Sequence, residues 1–172
     1  SSADGANLVA VMNGGGIYTS TNSGTSWGMA NAPSNFFSYW LSVASSADGS
    51  KLAAVGSPGI YTSYDSGMTW VSNNVPSITS NPSLRWNVVA CSADGTRIVA
   101  SELHGIYTST NGGVTWVSNT VPTLKQTQSW GSVTSSADGT KLVATVSGNG
   151  QPGPICSSTN SALTWISNNA PL

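Results

Sequence analysis

The chain reads as an all-β protein: a β-propeller of four-stranded antiparallel blades, four repeat units in 172 residues, the first lacking its inner strand. Two repeated landmarks and one absence predict this. Ala-Asp-Gly recurs at Ala3-Asp4-Gly5, Ala47-Asp48-Gly49, Ala93-Asp94-Gly95 and Ala137-Asp138-Gly139, so the aspartates step by 44, 46 and 44 residues. A second element recurs in phase, as STNSGTSW from Ser20 to Trp27, SYDSGMTW from Ser63 to Trp70, STNGGVTW from Ser109 to Trp116 and STNSALTW from Ser158 to Trp165. No segment carries the 3.6-residue apolar period of a helix.

The unit from Trp86 to Asn119 shows the plan. Strand A is expected over Asn87–Ser92, followed by a tight turn at Asp94-Gly95, whose residues tolerate the left-handed backbone of hairpins. Strand B is expected over Arg97–Ser101, strand C over Ile106–Thr110 and strand D over Thr115–Ser118; all are too short and too β-branched for helices. A meander of this kind cannot bury both faces alone, so neighbouring copies must stack. Small residues on strands A and B (Ala44, Ala53, Ala54, Ala90, Ala100, Ala144) suit crowded inner strands near an axis. The units run over approximately 1–30, 40–74, 86–120 and 130–169, within a single domain or propeller fragment covering 1–172. Ser1-Ser2-Ala3-Asp4-Gly5 aligns with Ser45-Ser46-Ala47-Asp48-Gly49, so the first unit supplies only strands B, C and D, and fifteen strands are expected. A homodimer, or additional blades in a longer chain, would complete such an array.

The second element has a mechanical role. Asn22, Asp65, Asn111 and Asn160 stand where a side-chain oxygen accepts backbone N–H groups of its own turn, with Ser20, Ser63, Ser109 and Ser158 two residues before them. Gly24, Gly67 and Gly113 permit positive φ; the fourth copy carries Ala162 there, which requires either a relaxed turn or strain. Trp27, Trp70, Trp116 and Trp165 then fold over the hairpin into the sheet packing. These four elements resemble the Asp-box, or BNR, repeats of the sialidase and sortilin-like β-propellers, in a pattern similar to that of bacterial extracellular or surface repeat proteins. The resemblance covers essentially the whole chain and implies a structural turn between strands C and D, away from the usual ligand face.

Composition limits the function. Only 6% of residues are charged and the net charge is −1, against ~25% charged residues in ordinary domains. No basic face can form, which argues against nucleic-acid binding. No apolar run approaches the roughly 20 residues of a membrane-spanning helix, so no membrane insertion is expected. The polar set is dominated by Ser, Thr and Asn, which suits a secreted or cell-surface protein. No signal peptide is visible, consistent with a mature, trimmed or excised chain. Cys91 and Cys156 are 65 residues apart with no CxxC; they read as two small buried residues or as a disulfide, and no metal site or cofactor is expected.

A sialidase reading fails by residue: the resemblance implies a three-arginine carboxylate clamp, and the chain holds only Arg85 and Arg97. A glycosidase needs two carboxyl groups flanking a cleft, but Asp4, Asp48, Asp94 and Asp138 sit in equivalent turns and Asp65 in the second element. Only Glu102 breaks the repeat, with His104 two residues on. The leading expectation is therefore a noncatalytic interaction or structural module; the alternative is a glycoside-processing hydrolase with an acidic cleft involving Glu102 and His104. The B–C and D–A connections are the long and varied ones, and variation inside a repeat array marks its binding face. Trp40, Trp86 and Trp130 enter strand A from that face, either as wedges between blades or as aromatic platforms for sugars. Phe36, Phe37 and Tyr39 form an aromatic cluster outside the repeat pattern. A neutral glycan or a protein surface is the expected partner.

Overall fold

The computed structural model describes residues 1–32, 39–57, 59–75, 86–103, 105–121, 128–148 and 153–168. Fifteen strands occur among them: β1 (Leu8–Val11), β2 (Ile17–Ser20), β3 (Gly28–Met29), β4 (Trp40–Ser45), β5 (Leu52–Gly56), β6 (Gly59–Ser63), β7 (Val71–Asn73), β8 (Val88–Cys91), β9 (Ile98–Ser101), β10 (Ile106–Ser109), β11 (Val117–Asn119), β12 (Gln128–Ser135), β13 (Leu142–Gly148), β14 (Ile155–Ser158) and β15 (Ile166–Asn168). They form one three-stranded sheet, β1-β2-β3, and three four-stranded meanders, β4 to β7, β8 to β11 and β12 to β15. The expected bounds shift by one or two residues at strand ends, most at strand D of the third unit, which is Val117–Asn119.

The turn between the first two strands of each full blade is built by its own side chains. In the second blade the Ser46 hydroxyl donates to Asp48 Oδ1 at 2.6 Å and accepts the Lys51 N–H at 3.0 Å, while the Ser50 N–H donates to the same carboxylate at 3.0 Å. Ser2, Ser92 and Ser136 repeat the arrangement on Asp4, Asp94 and Asp138. The following glycines sit at φ between 67° and 76°, which only glycine adopts without strain.

Blades join along three apolar seams. Ile17, Trp40 and Ala54 pack with Val9, Val11 and Trp70 between the first and second blades. Val55, Ile60, Trp86, Ala100, Tyr107 and Trp116 fill the second seam. Val99, Ile106, Trp130, Ala144 and Cys156 fill the third. Strand alternation explains the pairing: one face of each blade meets its predecessor and the other its successor. Near the inner edge a row of backbone hydrogen bonds stitches the turns together. The Ala3 N–H donates to the Ala47 carbonyl at 2.6 Å, Ala47 to Ala93 at 2.7 Å and Ala93 to Ala137 at 2.7 Å. The inner strands follow the same order, β4 against β8 and β8 against β12, and β1, which corresponds to the second strand of the other blades, lies against β4. Among the described residues the first and fourth blades do not pack together as consecutive blades do, and the four sheets form no closed ring. Both cysteines are free thiols, on different blades.

Candidate functional site

The tryptophans expected at the mouth of the array lie inside it. Trp40 is 1% exposed, Trp86 7% and Trp130 1%. Trp40 stands edge-on to Tyr61 at 5.4 Å and Trp86 edge-on to Tyr107 at 5.0 Å. Each ring also packs on the blade before its own. Stacking on a sugar needs a free ring face, so these residues are wedges and the platform expectation is corrected.

Glu102 is corrected in the same way. Its side chain is 1% exposed and points into the blade, where Oε1 accepts the Tyr107 hydroxyl at 3.0 Å. Oε2 and the neighbouring Ser101 hydroxyl are buried without a hydrogen-bond partner. A carboxyl so enclosed cannot reach a glycosidic bond. Sequence reasoning missed the Glu102–Tyr107 pair. The signal was available in register: Tyr107 aligns with Tyr18 and Tyr61, while the Glu102 position holds Met12, Gly56 and Val146 in the other blades. His104 lies outside the described residues, as do Phe36, Phe37 and Arg85.

The aspartates are engaged in turns. The Ser46, Ser92 and Ser136 hydroxyls, followed by the backbone N–H groups of Ser50, Thr96 and Thr140, hold Asp48, Asp94 and Asp138 down to about 2. Asp4 is lowered by Ser2 and then the Ala6 N–H. Asp65 is lowered by the Thr69 hydroxyl, the Thr69 N–H and Ser63. Carboxylates that already accept two or three hydrogen bonds favour the charged form and are poor proton donors near neutrality. Among the described residues no group of three or more His, Cys, Asp or Glu side chains could hold a metal ion.

The turns between the third and fourth strands share one geometry. The N–H groups of Ser26, Thr69, Thr115 and Thr164 donate to Asn22, Asp65, Asn111 and Asn160 at 2.9 Å. The Ser20, Ser63, Ser109 and Ser158 hydroxyls accept the N–H of Gly24, Gly67, Gly113 and Ala162 at 2.8–3.0 Å. Ala162 keeps the left-handed conformation at φ 71°, so the fourth turn is strained rather than relaxed. The Trp70 and Trp116 indoles donate to the carbonyls of Gly67 and Gly113, whereas the buried Trp165 N–H finds no acceptor.

The loop face carries the exposed apolar groups that break the repeat. Tyr39 bridges to Asn13, its N–H donates to the Ser57 hydroxyl at 3.0 Å and its carbonyl accepts the Ser57 N–H at 3.0 Å. One aromatic residue thereby ties together two B–C connections. Tyr39, Met12, Leu41 and Leu103 are all exposed on this side. On the opposite side, a shallow groove follows each blade seam, lined by the repeated turns.

No family model matches the chain, and no curated protein does. Solved structures do match in fold. An ancestral GH74 enzyme superposes with TM-score 0.72 at 18% identity over 98% of this chain and 25% of its own. The GH74 xyloglucanase from Xanthomonas campestris gives 0.68 at 15% identity, over 98% and 29%. YCF48 bound to D1 peptide gives 0.56 at 11% identity, over 96% and 78%, and U3-55K gives 0.64 at 15% identity, over 96% and 49%. The chain thus spans about a quarter of the GH74 structures' length. It has a propeller-like repeat fold related in architecture to these proteins, and no helix among the described residues is long and apolar enough to cross a membrane.

Proposed function

We propose that the chain is a noncatalytic interaction module of divergent Asp-box repeats, secreted or displayed at a cell surface, which binds a protein surface or a neutral glycan through its B–C/D–A loop face. Its partners include a second copy of itself. The carrying observation is that the described carboxylates are engaged or buried while the loop side differs from blade to blade. Carboxylates are locked in repeated turns or, for Glu102, buried, while the loop side presents exposed apolar residues that differ between blades, among them Tyr39, Met12 and Leu103. Aromatic and aliphatic contact with neutral hydrogen-bonding groups suits partners that carry no charge. Similarity in fold to GH74 enzymes does not transfer their chemistry, because function resides in the site.

The test is a glycan array and a protein-capture screen with the wild type, followed by titration of any hit against Tyr39→Ala and Leu103→Ser. Loss of binding with an unchanged melting temperature supports the loop face. Turnover of any glycoside, abolished by Glu102→Gln in a variant that melts like the wild type, overturns the noncatalytic reading.

A further inference from the structure

We propose that the leading face of the first blade and the trailing face of the fourth are two halves of one interface, joined head to tail between copies of this chain. This rests on the reading of the chain as a self-associating module and names the surfaces. The support is a junction built three times between consecutive blades, whose two halves are exposed on the first and fourth blades.

Four parts of the junction repeat. First, each inner turn donates a backbone N–H to the next, from Ala3 to Ala47, Ala47 to Ala93 and Ala93 to Ala137. The row leaves the Ala137 N–H as donor at one end and the Ala3 carbonyl as acceptor at the other. Second, the residue two after each Asp-Gly covers the turn of the next blade. Asn7 Nδ2 donates to the Asp48 carbonyl at 3.3 Å, and Lys51 Nζ to the Asp94 carbonyl at 2.8 Å. Arg97 lies over Gly139 and donates to the Ser161 hydroxyl at 3.0 Å. Lys141 holds the same place on the fourth blade and is exposed. The matching glycines tell the same story: a Cβ on Gly49 would meet Asn7, on Gly95 Lys51 and on Gly139 Arg97, whereas one on Gly5 would meet nothing within 4 Å.

Third, the strand-C threonines press on the next blade's second turn, Thr19 toward Gly67 and Thr62 toward Gly113, while Gly24 meets only its own blade's Leu8 and Trp27. Fourth, the apolar surfaces match. On the trailing face Ala53 and Val99 are buried at 1% and 2% exposure, but Val143 is 38% exposed. On the leading face Ala54, Ala100 and Ala144 are fully buried, but Ala10 is exposed. Trp116 is 5% exposed and its first-blade counterpart Trp27 is 44% exposed. Joining the ends sets Lys141 over Gly5, the Ala137 N–H toward the Ala3 carbonyl and Val143 toward Ala10 and Trp27, as in the internal seams but without the strand-A tryptophan that fills each of those. Such an interface is heterologous, using different patches on the two copies.

The experiment uses the 172-residue chain in light scattering across a dilution series, with two single variants. Ala10→Arg blocks the leading face and Val143→Arg the trailing face; both sites are exposed in the single chain, so melting temperature and circular dichroism should match the wild type at dilution. The wild type is expected at twice 17.5 kDa or more, each variant alone at the mass of one chain, and the two variants mixed as a one-to-one complex through their remaining complementary faces. A wild type that stays at 17.5 kDa at every concentration overturns the proposal. So does a single variant that associates as the wild type does, or a mixture that stays dissociated. Tyr39→Ala leaves the assembly mass unchanged, so failure of the loop-face reading is separable from failure of this one.

Discussion

Gly95 and Gly5 occupy equivalent turns, with φ of 67° and 71°, but only Gly95 faces a preceding blade. Alanine at either position meets the left-handed backbone penalty, about 1 kcal/mol relative to glycine. At Gly95 a second cost applies. The new Cβ would lie 2.8 Å from Lys51 Cβ, 3.0 Å from Lys51 Cδ and 3.2 Å from Ser46 Cβ. Two of these atoms are bonded to backbone and cannot swing away, so the seam itself must open. Overpacking of this kind costs about 1–3 kcal/mol. Gly95→Ala is therefore expected to lose about 2–4 kcal/mol and Gly5→Ala about 1 kcal/mol. Equilibrium urea unfolding, in the Val143→Arg background to remove association, reads the difference directly as a shift in midpoint at constant slope. Equal losses at the two glycines would refute the claim that blade contact, rather than turn conformation, makes Gly95 necessary.

Ala162→Gly should stabilise the chain by about 1 kcal/mol, because relief of the left-handed strain and a new acceptor geometry for the Trp165 indole outweigh the lost methyl packing; a lower urea midpoint would count against it. Asp48, Asp94 and Asp138 are held at about 2 in the folded chain, below the unfolded value of about 3.9. They contribute stability present above pH about 4 and lost as pH falls toward about 2, so melting temperature should drop across that window and drop less in the Asp48→Asn/Asp94→Asn/Asp138→Asn variant. Burial raises the Cys91 thiol to about 11 and shifts Cys156 upward, so aromatic-disulfide labelling at neutral pH should be slow until denaturant is added. Trp86→Ala should cost about 3–5 kcal/mol of stability by emptying a seam; an unchanged unfolding midpoint would restore the platform reading.

The blades were legible because the sequence repeats what the turns need. Ser-x-Asp-Gly specifies a hydroxyl, a carboxylate and a positive φ at fixed offsets, and all four copies adopt that turn. The order of strands followed from it, including the short first sheet. The destination of the strand-A tryptophans was not legible. A tryptophan at a strand end reads the same whether its ring turns outward to solvent or inward to the neighbouring blade. The choice is made by contacts with Ile17, Ile60 and Ile106, each on the preceding blade and 23 to 26 residues earlier in sequence. The environment of Glu102 was hidden for a related reason: its partner Tyr107 is five residues away across a loop, and only the pairing of β9 with β10 brings them together.

Repetition also separates what supports the fold from what is free to vary. The column Asn7, Lys51 and Arg97 changes residue type yet keeps a long or polar side chain over the next turn, which marks a contact requirement rather than a chemical one. The Glu102 column behaves oppositely. Met12, Gly56, Glu102 and Val146 share neither size nor polarity, because this position sits beside the B–C loop where each blade packs its own neighbours. A carboxyl there cost the fold an unpaired buried oxygen, an expense of about 1–3 kcal/mol that an apolar residue avoids. Glu102→Met, which copies the first blade's Met12, should therefore raise the urea midpoint if the carboxyl has only a packing role. A lower midpoint would show that the bond from the Tyr107 hydroxyl outweighs the stranded oxygen.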